Sequence, residues 1–536
     1  MLPKQRFSLP KELLMLHTFL SQRARTKPDA LAIIQGQRRV PYGDLERNVS
    51  RIASFLLRNN MKKGDRIGIL SKNSPEYIAA YIGTQQAGGI SVDINFQDSV
   101  HEIKTIVNHC SISTLIVENS YITAVADAVR ETPSVTMVIG IERRSTGASA
   151  VRDKFPSRIW YTAMSDIVSH EDGKCVSSEV TGADIASIVY TSGTTGRPKG
   201  VMLSHENFLS NAGSITEYLR LTERDKVMVV LPFCYSYGKS LLTTHLMVGG
   251  TLVLENSFMY PNIVFDKMVE EGVTGFAGVP STFAIMLNRS NIRKYRFPEL
   301  RYVTQAGGAM SPQHARELSM LLPDAQIFIM YGQTEATARL TYLPPEELLR
   351  RPGSIGRPIP GVEIEVVQEK GLPAGDGQEG EIVAQGKNIM AGYWNDPEET
   401  KKVLKEGRLY TGDIGRKDKD GYLYIVGRRS DMIKSGAHRI SPKEIEEVIL
   451  EMNDVHEVSV VGIPDEILGE AIRAVIVLKE GFEPDEKKVQ RHCQTKLASF
   501  KMPKEVVFAD ELPKTSSGKV RRYLLKDLNQ VSETAR

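Results

Sequence analysis

A chain of 536 residues is too long for one hydrophobic core and implies two to four domains at roughly 100–200 residues each. With 41% hydrophobic and 25% charged residues the composition is that of an ordinary globular protein, and a net charge of +3 gives no whole-chain case for a nucleic-acid or membrane-surface partner. Cys110, Cys175, Cys234 and Cys493 are scattered without C-x-x-C spacing, which argues against a structural zinc site or a disulfide framework. No apolar run approaches the roughly 18 residues of a spanning helix, and the first ten residues lack the apolar core of a secretory signal. The expected location is cytoplasmic.

From about residue 11 to 180 helical and strand-like patterns alternate. Leu45, Val49, Ile52, Phe55 and Leu56 recur at helical spacing, and short β-prone runs stand at 66–70, 114–117 and 135–139. Ile185 to Tyr190 reads as a buried strand, and Ser204 as the cap of a helix through Phe208, Ile215 and Tyr218. Further strands are expected at 226–231, 251–254, 275–278, 301–304 and 326–330. After Gly353 the pattern becomes antiparallel and hairpin-rich, with strands at 362–367, 381–384 and 422–426. A helix follows Pro442, then strands at 455–461 and 471–478, then a helix over 485–497. The fold class is α/β: a large N-terminal domain of helix-covered sheets with a small β-barrel-like part over 1–429, and a small mobile α+β domain over 430–536.

Between the strand and the helix lies Tyr190-Thr-Ser-Gly-Thr-Thr-Gly-Arg-Pro-Lys-Gly200. Its glycines allow close approach to an anion, and its hydroxyls, amides and cations supply donors, so it reads as a phosphate-holding loop. It is not a Walker A loop, because Gly196 is followed by Arg197-Pro198 and Lys199 by Gly200. Other polar clusters stand at the ends of expected strands, where open α/β sheets bind ligands. They are Gln305-Ala-Gly-Gly-Ala309, Tyr331-Gly-Gln-Thr-Glu335, Tyr410-Thr-Gly-Asp413, Gly427-Arg428 and Pro513-Lys-Thr-Ser-Ser-Gly-Lys519. Each by itself has a bland reading as a turn or a solvated charge.

In this order and spacing, from about Leu16 to Arg522, they resemble the AMP-forming adenylating superfamily of acyl- and aryl-CoA synthetases, peptide-synthetase adenylation domains and luciferases. The resemblance implies attack of a carboxylate on the α-phosphate of ATP, then displacement of AMP by a thiol of CoA or another phosphopantetheine. Such chemistry forces anions together, so it rests on positioning and charge neutralisation. The resemblance assigns Thr191, Ser192, Gly193, Thr194, Thr195, Gly196 and Lys199 to the β- and γ-phosphates. It gives Thr334 the α-phosphate and Glu335 a Mg²⁺ ion, which prefers oxygen ligands. Gly307, Gly308 and Ala309 would flank adenine, with Tyr331 stacking on it and Gly332 beside it, while Asp413 and Arg428 would hold the ribose. Lys519 would bridge carboxylate and α-phosphate. Ser430 falls at the family's hinge, where Asp or Lys is usual, and Lys434 to Gly436 in the loop presented for thioester formation, which here carries Ala437 in place of a glycine.

The acid pocket is implied by Leu231-Pro-Phe-Cys-Tyr-Ser-Tyr-Gly-Lys-Ser240. Cys234 stands where amino-acid-activating relatives carry an Asp, which disfavours an α-amino acid. Tyr235 matches an aromatic gate beside the carboxylate. Lys239 has two readings, a side chain snorkelling to solvent or a cation reaching a polar end of the acid. Phe276, Gly278, Thr282 and Phe283 are further lining candidates. The function expected is ATP-dependent ligation of a small-molecule carboxylic acid to CoA. An acyl carrier protein is the alternative acceptor, and a luciferase-like oxygenase or a non-catalytic binding protein are the rivals.

Overall fold

The computed structural model describes residues 15–142, 151–173, 179–191, 198–369, 371–435, 438–514 and 520–526. Among them two compact units divide the chain. The first takes Met1–Pro352, Gly356–Glu363 and Ala384–Leu409; the second takes Gly353–Ile355, Ile364–Val383 and Tyr410–Arg536.

The first unit is built on two largely parallel sheets. In one, Gly275–Gly278 lies between Lys226–Val229 and Tyr302–Gln305, and Gln326–Tyr331 extends the order, all in parallel. In the other, Ile90–Asp93 lies between Arg66–Leu70 and Ile185–Thr191, with Thr114–Glu118 and Met137–Ile141 beyond. Strands such as Thr114–Glu118 and Met137–Ile141 are buried at every residue, as expected where helices cover both faces of a parallel sheet. The covering helices carry the expected stripe. In Tyr42–Arg58, Leu45, Val49, Ile52, Phe55 and Leu56 are all buried.

One local expectation is corrected. Lys199–Ser204 is a strand, antiparallel to Ile185–Thr191, with Thr191 facing Lys199 across the pair. The Tyr190–Gly200 stretch therefore joins two strands of a hairpin. The helix His205–Leu219 starts beyond the second strand, where Ser204 and Asn207 form a reciprocal capping box.

In the second unit Asp413–Lys417, the end of strand Arg408–Lys417, pairs antiparallel with Leu423–Arg428, and the residues of the strand alternate inward and outward. The C-terminal part pairs Val455–Asp465 with Gly469–Leu478, and adds Glu505–Phe508 in parallel. Ile445 and Ile449 from helix Pro442–Leu450 and Val489 from helix Glu486–Gln494 close its core. The hairpin-rich strands group with this region, so Ser430 falls inside a compact unit by packing. No helix among the described residues is long and apolar enough to cross a membrane.

Candidate active site

Within the first unit, the two ends of the phosphate-type loop meet across a strand pair, which brings Lys199 beside Thr191. The Lys199 ammonium is 2.5 Å from Glu399, 5.1 Å from the centre of the Tyr393 ring and only partly exposed. Glu399 belongs to the short helix Pro397–Val403, whose first turn is capped by Asp396. Hydrogen bonds from Lys199 and Lys402 hold the Glu399 carboxyl down at about 2. Tyr393 in turn donates its hydroxyl to Glu335 Oε1 at 2.9 Å. Burial and the Glu335 charge push the Tyr393 phenol well above its usual range, so it remains a donor. One aromatic side chain thus touches both the expected phosphate lysine and the expected metal carboxylate. Ser192, Gly193, Thr194, Thr195 and Gly196 lie outside the described residues.

Thr334 and Glu335 sit in a loop between the antiparallel strands Gln326–Tyr331 and Thr341–Leu343. The loop is tight. A Cβ on Gly332 would stand 2.1 Å from the Ala338 carbonyl oxygen, so no larger residue fits there. Thr337 adopts φ of 66°, a costly conformation for a β-branched residue. Its hydroxyl bonds the Asn388 carbonyl at 2.7 Å, while the Asn388 amide donates to the carbonyls of Ala336 and Arg339. These bonds fix the turn that aims Glu335. The Thr334 hydroxyl is 3.3 Å from Ser236, which joins the expected α-phosphate residue to the expected acid stretch.

Glu335 suits a divalent cation. Among the described residues its Oε2 has no hydrogen-bond partner, and no group of three or more His, Cys, Asp or Glu side chains gathers anywhere to form an all-protein metal cage. A Mg²⁺ ion held by one carboxylate and by substrate phosphate oxygens matches that donor set. Gly307, Gly308 and Ala309 form an exposed turn after Tyr302–Gln305. Gly307 takes φ of 87°, and Gln305 donates to the Gly308 carbonyl at 2.9 Å. Tyr331 is half-buried at the end of its strand.

The acid stretch forms the start of helix Ser236–Val248, with Tyr235 at its N-cap. Asn95 donates to the Tyr235 hydroxyl at 3.1 Å. Gly238 is required there because a Cβ would lie 2.1 Å from the Pro232 carbonyl oxygen. Cys234 is buried, and its thiol is pushed far up by desolvation. Phe276 is buried in an aromatic cluster with Phe258 and Phe283, and Gly278 packs under Thr282 and Phe283.

Lys239 departs from both sequence readings. Its side chain is 0% exposed and pairs with Asp93 at 2.5 Å. The ammonium also lies 3.8 Å from the Tyr81 ring centre and 3.3 Å from the Tyr77 hydroxyl. Tyr77 and Ser187 donate to the same Asp93 carboxylate. Desolvation pulls the Lys239 ammonium below its usual value, against the pull of Asp93. It neither snorkels nor has a free charge to offer an acid. The helix could not turn it outward, because the position faces the interior of the unit.

In the second unit Asp413 and Arg428 occupy facing positions on paired strands, and Arg428 Nε donates to Asp413 at 2.9 Å. Asp413 is buried while the Arg428 side chain is half open to solvent. Ser430 is exposed in the turn that follows and donates to Asp431. Lys434 is exposed on strand Ile433–Ser435; Gly436 and Lys519 lie outside the described residues.

Compared with protein-family models, residues 20–394 match the "AMP-binding enzyme" family and residues 444–519 its "AMP-binding enzyme C-terminal domain". The chain belongs to the AMP-binding enzyme family. This AMP-binding enzyme is 30% identical to a long-chain-fatty-acid–CoA ligase of Bacillus subtilis (strain 168), across 96% of this chain and 94% of the relative. It is 32% identical to an indoleacetate–CoA ligase of Aromatoleum aromaticum, across 96% and 98%. Among solved structures it resembles ATP-bound MatB from Rhodopseudomonas palustris with a TM-score of 0.87 and 29% identity, covering 96% and 98% of the two chains. An o-succinylbenzoate CoA synthetase of Bacillus subtilis, in complex with ATP and magnesium ion, follows at 0.82 and 27%, covering 95% and 99%.

Tyr393, Glu399, Asp93 and Arg339 were not singled out from the sequence. The stretch Tyr393-Trp-Asn-Asp-Pro-Glu-Glu399 carries a cap signal, Asp396 before Pro397, but no sign of its long-range partners. Asp93 offered a clue, a carboxylate ending the short run Ile90-Ser-Val that reads as a strand.

Proposed function

We propose that this AMP-binding enzyme activates a small carboxylic acid with ATP, releasing pyrophosphate, and passes the acyl group to the thiol of CoA. The observation that carries the reading is the shared base under Lys199 and Glu335, where one tyrosine contacts both groups. Lys199 and the loop before it would hold the leaving pyrophosphate, and Thr334 the α-phosphate. Glu335 would hold Mg²⁺, which supplies charge neutralisation on the phosphate oxygens when bound. Gly307, Gly308, Ala309 and Tyr331 would receive adenine, and the Asp413–Arg428 pair the ribose. Tyr235, with its hydroxyl held by Asn95, would lie beside the reacting carboxylate, and Cys234 leaves no anion there for an α-ammonium. Lys519 would neutralise the charge that develops between carboxylate and α-phosphate, as a point charge on a flexible stem can. Ser430 would be the hinge, and Lys434 with Gly436 would line the thiol path. CoA is preferred to a carrier protein as acceptor because the relatives named above are CoA ligases.

The two half-reactions separate in one experiment. Lys519→Ala is expected to nearly abolish acid-dependent pyrophosphate exchange yet leave thioester formation from preformed acyl-adenylate largely intact. Equal loss of both would refute the assignment.

A further inference from the structure

Arg339 is a buried cation of the first unit to which the site described above gives no role. It ends the loop that carries Thr334 and Glu335, and it is 3% exposed. Its Nε lies 3.2 Å from the Met330 sulfur, Nη1 donates to the Ala338 carbonyl at 3.2 Å, and its guanidinium carbon stands 4.1 Å from the Tyr237 ring centre. Among the described residues no carboxylate pairs with it. Lys239, equally buried and on the neighbouring helix, has Asp93. Arginine cannot escape desolvation by losing its proton, and a thioether, a carbonyl, a ring and the Tyr218 hydroxyl, none of them charged, leave most of that cost standing.

The position is also built. Asn211 and Asn388 both donate to the Arg339 carbonyl, at 3.0 and 2.9 Å, so the backbone beneath the side chain is fixed. The side chain borders a small cavity with Ser240, Leu241, Thr244, Thr304 and Met330. Ser240 and Thr244 lie on the helix that starts at Ser236, beside Thr334. From Ser236 to Ser240 is about one helical turn, a rise of about 6 Å.

Resting on the adenylating reading above, we propose that Arg339 is the counter-ion for a second, distal carboxylate of the substrate, so that the acids activated are short dicarboxylic acids. The reacting carboxylate lies at the Tyr235–Thr334 end. The distal one replaces the missing partner of Arg339, whose planar fork can bind a carboxylate through two parallel hydrogen bonds. Ser240, Thr244 and Thr304 line the same cavity.

The test is pyrophosphate exchange with matched acids: glutarate, adipate and suberate against pentanoate, hexanoate and octanoate. The wild type is expected to favour the dicarboxylate of each pair. Arg339→Met is expected to lose about 10²-fold of that preference, the scale of removing one partner of a buried charge pair, and to favour the monocarboxylate instead. Arg339→Lys, which keeps the charge but not the fork, should recover part of it. In the absence of ligand Arg339→Met should unfold at the same temperature as the wild type or higher, whereas a purely structural arginine would leave a less stable protein with unchanged selectivity. Exchange with monocarboxylates in preference to dicarboxylates, or an unchanged ratio in Arg339→Met, overturns this inference and leaves the adenylating reading standing. Failure of every acid to drive exchange overturns both.

Discussion

Lys199 and Lys239 each pair with a carboxylate at 2.5 Å, yet they belong to different regimes. The Lys239–Asp93 pair is sealed between a helix and a sheet, with Tyr77 and Ser187 bonding the same carboxylate. The Lys199–Glu399 pair sits at the end of a hairpin with both side chains part-exposed. Water competes for the second pair and not for the first, so Glu399 is a partner that an incoming phosphate can displace. Asp93 is not. A buried ion pair beside an acid stretch therefore fixes a helix, and an open one beside a phosphate loop keeps a cation ready.

The largest effect that could break this contrast comes from the sealed pair. Lys239→Met strands Asp93 without its cation and is expected to cost about 3–5 kcal/mol in denaturant unfolding. Lys239→Met combined with Asp93→Leu should recover most of it. If the single variant were neutral, the pair would not be the sealed one described.

Acid titration reaches the same interior more gently. Burial pushes His17 and His245 down to about 4 and His205 down to about 3. Unfolded imidazoles take up protons near 6.5, so the unfolded state binds more protons below that pH. The stability held by these neutral side chains is complete above about 6.5 and is lost as pH falls towards about 4. Each contributes a slope of up to about 1.4 kcal/mol per pH unit. Urea midpoints at about pH 7 and about pH 5 measure it, and His245→Asn should flatten the dependence.

The smallest effect sharpens the open side. Glu399→Gln should cost no more than about 1 kcal/mol of stability, yet lower the KM for ATP a few-fold by releasing Lys199. An unchanged KM would mean that Glu399 does not compete with nucleotide.

The legible parts of the fold were those written in local periodicity. Strand Val362–Val367 and helix Pro442–Leu450 stand where the pattern placed them. Ser204 caps its helix, because cap chemistry is confined to four residues. Strand Lys199–Ser204 was missed since Val201-Met-Leu is too short a run to separate from loop, and its order comes from pairing across the hairpin. Asp413 and Arg428 were named for one ligand group, and the strands bring them face to face. The fate of Lys239 was not legible, since its partner lies 146 residues away. Arg339 was equally hidden, because an arginine near a Thr-Glu turn reads as a surface charge until burial is known.

The hairpin that closes on Thr191 and Lys199 sets a parity rule for any redesign of the loop. Successive side chains on a strand point to opposite faces, so a single residue inserted within strand Lys199–Ser204, after Lys199, would swing the ammonium to the far side of the sheet. Residues added between the strands would leave that face unchanged. The loop can tolerate a change of length that its flanking strands cannot.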